Sequence, residues 1–176
     1  MIVVLGLMAS GKTTIGGIIA ATLGWPLDDS DASIEARHGR TVRQLRESLG
    51  TEEMHALEAR HLLDALGASR PRVVAPAASV IDVRACRTAL TAPDVASLWL
   101  QAPATTLAER FSREAHRPSY GDDPAAFLEE QGRRRDPLFR SVHPIAIDVD
   151  TLPPEHAAAT ALRKLRMRLT LPPQPR

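Results

Sequence analysis

Residues Gly6 to Thr13 read G-L-M-A-S-G-K-T, with the apolar run Met1 to Leu5 before them and the helix-like stretch Thr14 to Leu23 after. Strand, glycine loop and helix in that order make a phosphate cradle, because loop N–H groups and a helix N-terminus converge on one polyphosphate. Gly6, Ala9, Ser10, Gly11, Lys12, Thr13 and Thr14 are the candidate nucleotide contacts. Lys12 is spaced to reach the β- and γ-phosphates, and the Thr13 hydroxyl to join a magnesium shell. A second set is Asp28-Asp29-Ser30-Asp31. One of its carboxylates can hold magnesium-bound water while another orients or deprotonates an acceptor hydroxyl. The competing reading is that Asp29 or Ser30 caps a helix beginning there. A third set, Arg110, Arg113 and Arg117, lies in L-A-E-R-F-S-R-E-A-H-R-P-S-Y. Pro118, Gly121 and Pro124 interrupt that helix and suggest a mobile flap, from which an arginine can close over a transferring phosphoryl group. Its plain alternative is a solvated helix face.

The elements that must position these groups are legible as alternation. Strand patterns fall at Ile2 to Leu5, Trp25 to Asp28, Arg72 to Ala75, Val95 to Leu100 and Ile145 to Val149. Helical patterns fill Lys12 to Leu23, Ser30 to His38, Val42 to Leu49, Glu52 to Leu66, Val83 to Leu90, Thr105 to Arg113 and His156 to Leu169. This predicts an α/β fold, a five-stranded and mostly parallel sheet flanked by helices. Thr41 to Gln44 can form a capping box, while Thr51 and Asp82 are expected to cap the helices that follow them. Ligands of such sheets lie beyond the carboxyl ends of the strands, so the segment Ala77-Ala78-Ser79 after the third strand joins the candidate site. Trp25 is expected to pack against the first helix and Trp99 to be core.

At 176 residues with 44% apolar content, the chain suits one domain, expected over 1–170, with a small lid near 112–124 and a flexible tail at 171–176. A net charge of +1 does not call for nucleic acid or a membrane surface. The single cysteine, Cys86, excludes an internal disulfide, and the six histidines form no zinc motif. Met1 to Leu5 is too short to span a membrane, so a cytoplasmic protein, monomeric or dimeric, is expected.

The chain resembles the shikimate kinase family, small P-loop kinases of nucleoside-monophosphate-kinase-like fold that transfer the γ-phosphate of ATP to shikimate. G-L-M-A-S-G-K-T-T-I-G resembles its opening motif. D-D-S-D resembles its acidic motif, which implies Asp29 as the magnesium-side carboxylate and Asp31 as substrate contact and base. Arg110 resembles the arginine that stacks on adenine, and Arg117 the lid arginine on the phosphates. R-R-R-D-P-L-F-R resembles the R-x-P-L-Y segment, placing Arg135 on the substrate carboxylate and Phe139 at the usual tyrosine. The resemblance thus implies ATP and Mg2+ as cofactors, a small hydroxylated acceptor, and Lys12, Asp31 and Arg117 as the catalytic set.

The departures from the family fall on the acceptor side. His55 stands where an arginine of G-E-x-x-F-R clamps the shikimate carboxylate, and Ala77-Ala78-Ser79 replaces a triple glycine. Histidine lacks the fixed charged fork of arginine, although Arg60 or Arg134 could compensate, and Cβ atoms restrict a close-approach loop. These changes favour a hydroxylated acceptor with less negative charge than shikimate. Shikimate itself stays a possible acceptor, and three further alternatives stay open: His55 as an ordinary helix residue, a regulatory module that binds ATP without acceptor chemistry, and an ATPase that processes nucleotides or nucleic acid.

Overall fold

A computed structural model of the chain describes residues 1–112 and 123–168. Arg113, Arg117, most of the expected lid and the tail therefore lie outside the described residues. The strands are β1 Ile2–Leu5, β2 Leu27–Asp29, β3 Val73–Ala75, β4 Ala96–Gln101 and β5 Ile145–Asp148. They form one sheet in the order β2-β3-β1-β4-β5, parallel at every pairing. The expected sheet is thus present, and it is wholly parallel.

Its faces are covered by α1 Lys12–Leu23, α2 Ser30–His38, α3 Val42–Leu49, α4 Thr51–Leu66, α5 Arg84–Leu90, α6 Ala104–Ser112, α7 Pro124–Ser141 and α8 Pro154–Arg168. A central parallel strand is buried on both sides and reads as a continuous apolar run, as Ile2-Val3-Val4-Leu5 does. Ile2 and Val4 pack with Ile15 and Ile19 of α1 and Ala161 and Leu165 of α8. Val3 and Leu5 face Leu62 of α4, Cys86 of α5 and Leu128 and Phe139 of α7. Trp99 is core as expected, 5.5 Å from the Phe139 ring, and Trp25 is half-buried against the first face. Strand order reverses at β1, whose neighbours are β3 and β4, so the loop after it opens at the switch point where such sheets bind ligands.

Several expectations need correction. The second strand starts at Leu27, because Gly24 in the left-handed region ends α1 and the Trp25 N–H bonds Ala20. The capping box at Thr41 and Gln44 is present. Thr51 is the first residue of α4 and no cap, since Gly50 takes that position. Asp82 ends a 3₁₀ turn, Ala78–Asp82, and Val83 takes the cap position of α5. Helix α7 has no counterpart in the sequence reading. Leu128, Arg135 and Phe139 form its buried stripe. A charged residue in that stripe, with Gly132 and Pro137 inside the helix, hides the apolar period.

Candidate active site

The loop between β1 and α1 has the backbone that a phosphate cradle requires. Gly6 sits at φ 151°, and a Cβ there would lie 2.6 Å from Ser10 Oγ and 2.9 Å from the Leu100 carbonyl oxygen. Ala9, at φ 61°, occupies the left-handed region that favours glycine, which costs an alanine roughly 1 kcal/mol. Gly11 is the N-cap of α1, and α1 has neither a side-chain cap nor an acidic residue in its first turn, which holds Thr13 and Thr14. The positive end of the helix therefore faces the loop without an internal counter-charge. Ser10 Oγ is buried and has no hydrogen-bond partner among the described residues. Lys12 Nζ reaches back over the loop and donates to the carbonyls of Gly6 at 3.2 Å and Leu7 at 3.0 Å. An uncapped helix end, an unsatisfied buried hydroxyl and a lysine over the loop all fit a polyphosphate.

The Thr13 hydroxyl donates to Asp29 Oδ2 at 2.6 Å, joining α1 to the end of β2. The other oxygen, Oδ1, accepts from the Asp31 and Ala32 N–H groups at 3.1 and 3.2 Å, capping α2. Asp29 thus caps α2, and its second oxygen stays turned to Thr13. Among the described residues no group of three His, Cys, Asp or Glu side chains could hold a metal. Thr13 and Asp29 suit the partial shell of magnesium, which takes one or two protein oxygens and completes its octahedron with phosphate oxygens and water. Asp28 faces elsewhere. It lies 3.1 Å from His61 Nε2 and 3.2 Å from Arg72 Nη1, and it accepts from Ser33. The His61 contact does most to hold its carboxyl down at about 2.

Two of the expected acceptor residues, Ser79 and Arg135, each bind a residue that the sequence reading did not place in the site. Glu58 of α4 is buried, accepts a short hydrogen bond from the Ser79 hydroxyl and lies 3.5 Å from Arg46. Burial pushes its carboxyl up, against the pull of Ser79 and Arg46, and the negative charge of Asp31 adds to the rise. Arg135 is only 4% exposed and grips Asp82, with Nη2 at 2.7 Å and Nε at 3.1 Å from Oδ2. Arg134 reaches the same oxygen at 3.1 Å. His55 is half-buried beside this group. Burial, then the charge of Arg46, lowers its pKa below the usual 6.5, so the imidazole is neutral at pH 7. Arg60 lines a groove of about 560 Å³ along α4 whose lining includes His55 but neither Glu58, Ser79 nor Asp31.

Ala77, Ala78 and Ser79 have no positive φ, and the last two begin the 3₁₀ turn, so their Cβ atoms impose no backbone strain. Their main consequence is instead the Ser79 hydroxyl on Glu58. Phe139 is fully buried against Trp99 and belongs to the core. Arg110 Nη2 donates to the carbonyls of Val149 and Asp150 at 2.7 and 2.9 Å, fastening α6 to the loop after β5. Glu58 carried a readable signal, since it replaces an apolar residue in the stripe Met54, Glu58, Leu62. Arg46 and Asp82 carried none, because their partners are distant in sequence.

Comparison with known proteins agrees with this geometry. The family model described as Shikimate kinase matches residues 8–166. A shikimate kinase of Thermobifida fusca (strain YX) is 33% identical over 163 residues, 93% of each chain. One of Caulobacter vibrioides (strain NA1000 / CB15N) is 34% identical over 166 residues, 93% of this chain and 82% of the relative. The solved structure of shikimate kinase from Acinetobacter baumannii in complex with shikimate superposes with a TM-score of 0.81 at 28% identity, covering 96% of this chain and 92% of that one.

Proposed function

The chain belongs to the shikimate kinase family, and from that premise we propose that it transfers the γ-phosphate of ATP to a hydroxyl of a small acceptor. One observation carries this reading. A hydroxyl from the phosphate loop and a carboxylate from the next strand meet at 2.6 Å, at the mouth of an uncapped helix. Magnesium, when bound, supplies charge neutralisation on the β- and γ-phosphate oxygens. Thr13 and Asp29 are the residues that would hold it.

Lys12 and the first-turn N–H groups of α1 bind and orient the polyphosphate, so positive charge is in place before the phosphoryl group moves. Asp31 lies at the start of α2, close enough to Glu58 to influence its ionisation. It orients the acceptor hydroxyl and accepts its proton as the oxygen bonds to phosphorus and the bond to the ADP oxygen breaks. Glu58, Ser79 and His55 line the acceptor side. Among the described residues no helix is long and apolar enough to cross a membrane.

The test is incubation of the chain with ATP, Mg2+ and a panel of hydroxylated acids, polyols and aminocyclitols. ADP and a phosphorylated acceptor should form in equal amount, and Lys12→Ala should abolish both while remaining folded. ADP release that no acceptor stimulates would overturn the reading.

A further inference from the structure

We infer that Asp28 is a positioning residue for phosphoryl transfer: by tying the end of β2 to α4, to α2 and to the start of β3, it sets where Asp29 and Asp31 stand. This rests on the kinase reading above. Strand alternation turns the Asp28 side chain from the face that Asp29 uses. There its carboxylate meets three other elements. Oδ1 lies 3.1 Å from Nε2 of His61 on α4 and accepts from the Ser33 hydroxyl on α2 at 2.9 Å. Oδ2 accepts from Arg72 Nη1 at 3.2 Å. Arg72 is itself anchored, since its main-chain carbonyl accepts from the Ile2 N–H at the start of β1.

The position of Asp29 depends on such a tie. Strand β2 has three residues, lies at the sheet edge and pairs with β3 alone, Asp28 opposite Val74 and Asp29 opposite Ala75. Helices α2 and α3 pack with the start of α4 through a small core of their own, Ile34, Leu45 and Met54, separate from the two clusters on the sheet. Apolar packing is non-directional and leaves the register of α2 against β2 to hydrogen bonds. Two adjoining carboxylates accept them: Asp29 from the Asp31 and Ala32 N–H groups, and Asp28 from Ser33. His61 then joins Asp28 to the helix that carries Glu58. Stability alone does not call for a carboxylate here. The side chains of His61 and Asp28 are only 6% and 15% exposed, and a buried pair costs desolvation that well-packed apolar residues avoid. What the pair supplies, and two leucines cannot, is direction.

The experiment compares the full chain with a double variant, Asp28→Leu with His61→Leu, which removes the pair and keeps apolar volume in its place. Thermal melts, steady-state kinetics over a magnesium series, and Mn2+ binding in the presence of ADP, followed by electron paramagnetic resonance, are measured together. The variant should stay folded while kcat falls about tenfold or more and Mn2+ binds about tenfold more weakly, as when a group that orients a metal ligand is lost. A melting midpoint that moves while kcat and Mn2+ affinity keep their native values would show a merely structural role and overturn the inference. Should the double variant not fold, His61→Leu and His61→Gln decide. Glutamine places an N–H near the position of Nε2 and should keep the native kcat and Mn2+ affinity that leucine loses; equal values for the two would also overturn the inference. Transfer by the native chain that the double variant matches would end this inference and leave the kinase reading standing. No transfer to any acceptor, with Mn2+ binding still weakened in the variant, would do the reverse.

Discussion

Asp29 serves two neighbours at once: Oδ2 takes the Thr13 hydroxyl at 2.6 Å, and Oδ1 caps α2 through the Asp31 and Ala32 N–H groups. The contact that would hold a cation and the contact that starts the helix bearing Asp31 therefore share one side chain. The proposed cation site and the proposed base are thus mechanically linked, since a shift of Asp29 moves the first turn of α2.

That linkage separates two substitutions. Asparagine caps helices about as well as aspartate, so Asp29→Asn should change stability by less than about 0.5 kcal/mol. It removes the charge that would face magnesium, and the Mg2+ concentration for half-maximal turnover should rise. Asp31→Asn should instead lower kcat by roughly 100-fold or more, with ATP affinity within about threefold. Steady-state kinetics over a magnesium series, with thermal melts, distinguishes them. Equal loss of ATP binding in both variants would contradict these roles.

Ala9 at φ 61° is a strained residue inside the phosphate loop. Ala9→Gly relieves the left-handed penalty but adds freedom to the unfolded chain, for a net gain of about 0.5 kcal/mol. Urea denaturation should show a slightly higher midpoint with unchanged slope. A clear loss of stability would mean that the Ala9 methyl contributes packing that outweighs the strain.

Asp28 gives the fold a defined acid limit. Its carboxyl is held at about 2 against an ordinary 3.8, so the folded state binds fewer protons than the unfolded chain between those values. The stabilisation is complete above pH 3.8 and is lost as pH falls toward 2, a change of roughly 2 kcal/mol. Asp28→Asn should flatten that part of the stability profile. An unchanged acid slope in the variant would show that the cluster with His61 and Arg72 is not its source.

The alternation of apolar runs and helical patterns made the sheet readable, because parallel strands buried on both faces leave a strong local signal. The phosphate loop was readable for the same reason, since its geometry depends on residues that adjoin in sequence. The acceptor side was not. Arg135 and Asp82 lie 53 positions apart, and the sequence around each suggests a substrate contact for one and a helix cap for the other. Only folding shows that they satisfy one another. Asp28 and Asp29 adjoin, yet strand alternation sends one to His61 and the other to Thr13. Helix α7 escaped because buried Arg135 interrupts its apolar stripe.

Glu58 should shape the opposite side of the pH profile. Its folded carboxyl is raised above the ordinary 4.5, chiefly by burial, so the folded state holds the proton after the unfolded chain has released it. Stability from this group is full below pH 4.5 and declines as pH rises through its folded value, opposite in sign to Asp28. Glu58→Gln keeps an oxygen for the Ser79 hydroxyl and removes the titration, leaving Arg46 partly solvated. The wild-type minus variant difference in unfolding free energy should therefore fall with rising pH above 4.5 and then level off. A difference independent of pH would show that the buried pair of Glu58 and Ser79 does not exchange its proton on unfolding.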